Sequence, residues 1–290
     1  MSVIPVVLAV VAGIGWGTSD YIGGDASRAK VPVLMIVGVA ELIGVALLAP
    51  VLVARGTFPV LEPQVLLAAA AGLAVTIELG LIYRALSRGE AFITAPVGAL
   101  GTVLAVAVGI VGGDRVGAEI AIGLTCAIVG GGVSAWSSPS NADRSPGATG
   151  RAIGICVAAA TAVALMLSCL HAAARVNPLW ATAIVHASTG LSALAAARIS
   201  GRRPLTSMLP PRNVLPRLGL IAVAGTGGDV AYVVASHHGA LSIVAAISSL
   251  YPVTTIVLGV LLQSRRITAV QLAAIAVGLG GAALLGLATG

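Results

Sequence analysis

Residues 32–54 read PVLMIVGVAELIGVALLAPVLVA. In twenty-three residues there is one charge, Glu41, and no polar side chain besides it. A run of about twenty apolar residues is long enough to cross a ~30 Å hydrocarbon core as a helix. Comparable runs recur from one end of the chain to the other. Of the 290 residues 58% are hydrophobic and only 9% charged, and the mean hydropathy is +1.06. A water-soluble domain needs roughly 25% charged residues to solvate its surface. The fold class is therefore an all-α, polytopic integral membrane protein, because lipid leaves backbone groups no partner but one another. Short alternating segments, the mark of a membrane barrel, are absent.

Turn residues and charges divide the chain into ten predicted spans, at 3–23, 32–54, 64–84, 91–111, 118–136, 151–172, 179–198, 215–236, 241–262 and 268–288. The polar run 137–150 (SSPSNADRSPGATG) separates five spans from five, and a basic, Pro-rich loop follows the seventh. The predicted domains are 1–136 and 151–290, joined by that linker. Shifting the sequence by 150 residues pairs Ala85–Gly109 with Ala235–Gly259 without a gap, with seven identities in twenty-five. Outside that window Thr76 meets Thr226, Arg115 meets Arg265, and Gly130-Gly131 meet Gly280-Gly281. Five spans per half send the second copy into the membrane upside down, the plan of two inverted five-helix repeats.

The net charge of +6 follows from loop arginines rather than from a nucleic-acid surface, since no aromatic-basic interleaving accompanies it. With ten spans, thirteen Lys and Arg residues fall on one side and only Arg55, Arg115 and Arg175 on the other. By the positive-inside rule the termini then face outward. Cys126, Cys156 and Cys169 lie in apolar spans and form no metal or disulfide pattern. Met1–Ile14 has no charged n-region, so a first span is expected there rather than a cleaved signal.

Charges at mid-bilayer cost roughly 2.5–3.5 kcal/mol on insertion scales, so intramembrane acids are candidates for function. Four qualify: Asp20, Glu41, Glu78 and Asp229. Glu41 lies nine residues beyond Pro32, about 14 Å along a helix and near the midplane. Such carboxyl groups can bind a cationic group or load and release protons; the structural alternative is a carboxyl hydrogen-bonded to a neighbouring helix. Lys and Arg are missing at that depth, so simple buried ion pairing is not expected. Trp16 and Asp20, four apart, share a helix face that would suit an ammonium group. Tyr232 and Tyr251 are further candidates for the cavity, with packing as their alternative, and His186 for a proton relay or a structural hydrogen bond. Trp136 and Trp180 read as interface anchors, and Gly13/Gly17 and Gly109/Gly113 as close-packing glycines.

These features resemble the EamA-type transporters of the drug/metabolite transporter superfamily. Trp16-Gly17-Thr18-Ser19-Asp20 is similar to the family's Trp-Gly signature in the first helix; Arg84-Ala85-Leu86, Tyr251-Pro252-Val253 and the Gly-rich closing helices Val116–Gly132 and Ile267–Gly281 resemble further family positions. Where members often carry Gly-Glu at the ends of the fourth and ninth helices, this chain has Asp114 and Gln263. Members are usually drawn with both termini in the cytoplasm, against the charge count here. The resemblance implies a multi-pass plasma-membrane transporter of a small metabolite, cationic or amino-acid-like, working by alternating access with protons as a candidate coupling ion.

No cofactor or metal is expected, nor a nucleic-acid partner; the lipid bilayer is the partner, and a monomer or homodimer the assembly. The alternatives are a non-transporting membrane scaffold or sensor and an intramembrane enzyme. For the enzyme, Thr226-Gly227-Gly228-Asp229 comes near a Gly-x-Gly-Asp protease motif but lacks its first glycine and its Tyr-Asp partner.

Overall fold

The computed structural model describes residues 3–27, 31–56, 62–86, 94–136, 150–201, 209–263 and 267–289. They form eleven helices: α1 (Ile4–Ser27), α2 (Val33–Ala54), α3 (Pro63–Leu86), α4 (Thr94–Val111), α5 (Ala118–Trp136), α6 (Gly150–Ala174), α7 (Pro178–Gly201), α8 (Leu215–His238), α9 (Leu241–Ser248), α10 (Tyr251–Gln263) and α11 (Ala269–Thr289). Strands are absent among the described residues. Eight stretches, one of them α9 and α10 together, are long and apolar enough to span a bilayer, and α4 and α5 supply two shorter apolar helices. The protein is thus a ten-span helical membrane protein. Its lipid-facing surface carries exposed apolar side chains such as Leu191, Leu220 and Leu272, which in water would be a liability. Residues 137–149, most of the midpoint linker, lie outside the described residues, as do eight of the thirteen basic residues counted above and the side chain of Trp136.

The helix ends are written into the sequence. Asn177 Oδ1 accepts the Trp180 amide at 3.2 Å, capping α7, whose first residue is Pro178. Thr268 and Gln271 form a reciprocal box ahead of α11: Thr268 Oγ1 accepts the Gln271 amide and Gln271 Oε1 accepts the Thr268 amide, each at 3.1 Å. Gly113, expected as a packing glycine, instead ends α4 with φ +106° and no heavy atom near a would-be Cβ, a backbone state that only glycine adopts freely. Trp180, expected at an interface, buries its indole nitrogen.

The ninth span is not the single helix 241–262 that its apolar run predicts. Pro252 has no N–H and its ring displaces the carbonyl four residues back, so the α-helical ladder stops at Ser248 and restarts at Tyr251. All eight residues of α9 are buried. A Cβ on Gly13 would sit 3.1 Å from the Ser248 carbonyl oxygen, and Thr255 Oγ1 donates to the Gly17 carbonyl at 3.0 Å. The absent side chains of Gly13 and Gly17 let α1 lie along the break.

Packing partners are exchanged between the halves. α1 lies against α8 as α6 lies against α3; α4 lies against α6 as α9 and α10 lie against α1; α2 meets α7, and α5 meets α11. Each of these pairings turns into another, or into itself, when positions are shifted by one half. The closest contacts run through glycine. A Cβ on Gly15 of α1 would be 2.7 Å from Gly228 Cα of α8, and one on Gly130 of α5 would strike the Gly278 backbone of α11. Without a hydrophobic force between helices in lipid, such close approaches supply the dispersion that holds them. α3 and α7 are joined by hydroxyls instead: Ser188 Oγ donates to the Ala69 carbonyl at 2.7 Å, and Thr76 and Ser192 hydroxyls pair at 2.7 Å.

Candidate functional site

Four helices converge on one cluster. Gly15 and Gly228 bring α1 against α8, and a Cβ on Gly228 would lie 2.8 Å from Trp16 Cδ1, so the indole is seated over the α8 backbone. From there Trp16 Nε1 donates to Asp229 Oδ1 at 2.7 Å. The other face of the arrangement is closed by α2 and α7. His186, 2% exposed, meets Glu41 Oε2 through Nδ1 and lies 3.4 Å from Asp229 Oδ2 through Nε2. A carboxylate only accepts, so the imidazole proton in the Glu41 bond belongs to Nδ1. Gly44 makes room for this: a Cβ there would sit 2.6 Å from Thr226 Oγ1 and 3.0 Å from His186 Nδ1. The order across the bundle is Glu41, His186, Asp229, Trp16, drawn from α2, α7, α8 and α1.

Tyr232 lies behind this row. It is wholly buried, its ring 5.2 Å from that of Trp16 and tilted by 35°, and its hydroxyl donates to the Leu167 carbonyl at 3.0 Å. It braces Trp16 and does not line the cavity.

The cavity in front has a volume of about 520 Å³, within the range of small-molecule sites. Trp16, Asp20, Glu41, Glu78, Asp229 and Tyr251 all line it, amid mostly apolar side chains. Asp20 is exposed and Glu78 partly so. Tyr251, the first residue after the break in the ninth span, brings its hydroxyl within 3.4 Å of where a Cβ on Gly98 of α4 would be. No Lys or Arg is among the described lining residues. The lining reaches Gly23, Gly24 and Val33, at the α1–α2 end that adjoins the more basic set of loops. At the opposite end two polar contacts join helix termini. Asp114 Oδ2 accepts the Ser242 amide at 2.8 Å, capping α9, and His237 Nδ1 is 3.0 Å from the Ala174 carbonyl.

The sequence reading named all eight of these residues, but it missed how they join. It found no Lys or Arg at the depth of the acids and paired none of them with another residue. In the structure Asp229 is instead joined to Glu41 through His186. His186 and Glu41 stand 145 residues apart, so no local spacing could signal the contact. Thr226, aligned with Thr76 by the shift, is a buried hydroxyl beside the same cluster with no hydrogen-bond partner.

The fold is a helical membrane bundle around an acidic cavity. Residues 150–287 match the EamA-like transporter family, in keeping with the resemblance carried by Tyr251-Pro252-Val253 and Ile267–Gly281. A solved crystal structure, described simply as that of a protein, is similar with a TM-score of 0.78 over 99% of this chain and 98% of its own, at 18% identity. That likeness is one of fold. No curated protein matches the sequence.

Proposed function

We propose that this chain is a secondary transporter that carries a small cationic or amino-acid-like metabolite across the plasma membrane by alternating access. The observation that carries the reading is the cavity: four carboxylates line it and no Lys or Arg among its described residues offsets them. Acids at membrane depth are costly unless a cation meets them, and His186 meets only two of the four. The side chain of Asp229 is 18% exposed, so an incoming ammonium group can reach it and compete there with His186. Displacing His186 from Asp229 frees a proton-carrying group between two acids, which is a route to proton coupling.

The halves 1–136 and 151–290 are read as inverted repeats, supported by the reciprocal exchange of helix partners. Rocking one half against the other would open the end at α9 and close the end toward Gly23 and Val33. By the positive-inside rule that latter end is cytoplasmic. One chain encloses the whole cavity, so a monomer suffices.

The test uses purified protein in liposomes with an internal pH dye. Cationic metabolites, zwitterionic amino acids and neutral sugars are supplied in turn. The expected result is substrate-dependent proton movement with cations, reduced in Glu78→Gln and abolished in Asp229→Asn. Equal flux in both variants would remove these acids from the mechanism. Absence of tracer uptake for every class would favour a scaffold or sensor.

A further inference from the structure

We infer that the far end of the cavity is a binding site for a divalent transition-metal ion, held by His186 Nε2 and Asp229 Oδ2 and positioned by Glu41 and Trp16. The inference rests on the reading of the cavity as one that admits cations, and it names a class of cation.

The first observation is a buried imidazole nitrogen that makes no hydrogen bond although a carboxylate oxygen stands 3.4 Å away. His186 is 2% exposed, and its Nε2 has no hydrogen-bond partner. Nδ1 is engaged by Glu41, so Nε2 is the nitrogen that faces Asp229 Oδ2. A ring nitrogen and a carboxylate oxygen then face each other in a buried place, where an ion could bridge them. A proton would draw them into an N–H···O bond of about 2.7–3.2 Å. They stand 3.4 Å apart. Two ligands each about 2.1 Å from one ion, at a tetrahedral angle, are separated by roughly 3.4 Å.

The second observation is that each ligand is oriented as metal ligands are. A ligating histidine ordinarily gives its other ring N–H to a carboxylate, and a ligating carboxylate is itself hydrogen-bonded. Glu41 fills the first role. Trp16 fills the second, donating at 2.7 Å to Asp229 Oδ1 and leaving Oδ2 for the ion. Ligand atoms of Glu41, His186 and Asp229 lie within 4.8 Å of one another. One imidazole and one carboxylate suit ions of the zinc, cobalt and nickel group rather than the all-oxygen preference of magnesium or calcium. Because Asp229 lines the cavity, water or a substrate atom can complete the coordination.

Cobalt(II) is the probe, since tetrahedral and octahedral coordination differ sharply in visible absorption. Detergent-purified protein without a His tag is titrated with Co²⁺, and binding is checked by calorimetry. The expected result is a single saturable site with a visible band. Affinity should fall roughly tenfold or more in His186→Gln and Asp229→Asn, and by about tenfold in Glu41→Gln, where only positioning is lost. The variant His237→Asn/His238→Asn removes the adjacent pair at the end of α8 and should leave both signals unchanged. No saturable binding by the wild type would overturn the inference. So would binding that survives both His186→Gln and Asp229→Asn, or that vanishes with His237 and His238. Should His186→Gln misfold, Asp229→Asn decides. The same preparation is reconstituted for organic-cation uptake. Uptake without Co²⁺ binding sinks the metal site alone; Co²⁺ binding without uptake of any substrate sinks the transport reading alone.

Discussion

His186 on α7 is bonded to Glu41 on α2 across 145 residues of sequence, and that bond sets which nitrogen of the ring faces Asp229. The pair ties the second helix of one half to the second helix of the other. Glu41→Gln keeps the size of the side chain but replaces a charged acceptor with an amide. We expect a stability loss of about 1–3 kcal/mol, seen as a lower unfolding temperature in detergent. Transport should fall further than stability does, because His186 is then free to turn.

Trp16→Phe tests the other end of the row. Phe keeps a ring against Tyr232 but cannot donate to Asp229 Oδ1. A hydrogen bond to a charged group is worth about 1.5–3 kcal/mol. The expected outcome is folded protein with apparent substrate affinity weakened by roughly ten- to hundredfold, measured as concentration dependence of tracer uptake.

Asp20→Asn and Glu78→Gln each take one charge from the wider part of the cavity. Both should raise the KM for cationic substrates and leave that for neutral ones unchanged. The effect should shrink as salt is raised, since exposed charges are screened within a Debye length of about 10 Å at 0.1 M. A uniform loss for all substrates would mean a structural role.

Gly130→Ala separates packing from function. The added methyl meets the Gly278 backbone, which cannot move aside as a flexible side chain would. α5 and α11 must part, and neither contributes to the cavity lining. Lower thermal stability with unchanged transport per folded molecule is the expected result. Gly15→Ala creates the same collision between α1 and α8 and, unlike Gly130→Ala, should also cut transport, because that contact seats Trp16 on Asp229.

Asp114→Ala removes the cap from α9. The Ser242 amide loses its carboxylate partner, at a cost of about 1 kcal/mol. If the end at α9 must open during transport, this variant should shift the protein toward that opening, read as faster labelling of a cysteine placed at Ser242. Asp114 stands near a position where EamA-type proteins often carry glutamate, and its observed partner is a helix terminus rather than the cavity.

Much of this was legible in the sequence. Ten apolar runs and the four intramembrane acids could be read without a structure, because a bilayer imposes one local rule on every twenty-residue window. Helix bounds came within a few residues for the same reason. Pro252 was visible too, but an apolar run long enough to span hid the break it causes between α9 and α10. Gly113 was read as a packing glycine because spacing cannot show φ.

What only the tertiary structure decided is which polar group meets which. An apolar helix of this kind has no strongly amphipathic face to announce its neighbours, and a pairwise contact between helices far apart in sequence leaves no periodicity behind. The sequence alone determined that four acids and a histidine would fall within apolar spans. That His186 stands between Glu41 and Asp229, with Trp16 holding the far oxygen, depended on glycines that let α1 approach α8 and α2 approach α7, a matter of three-dimensional packing that no stretch of chain contains.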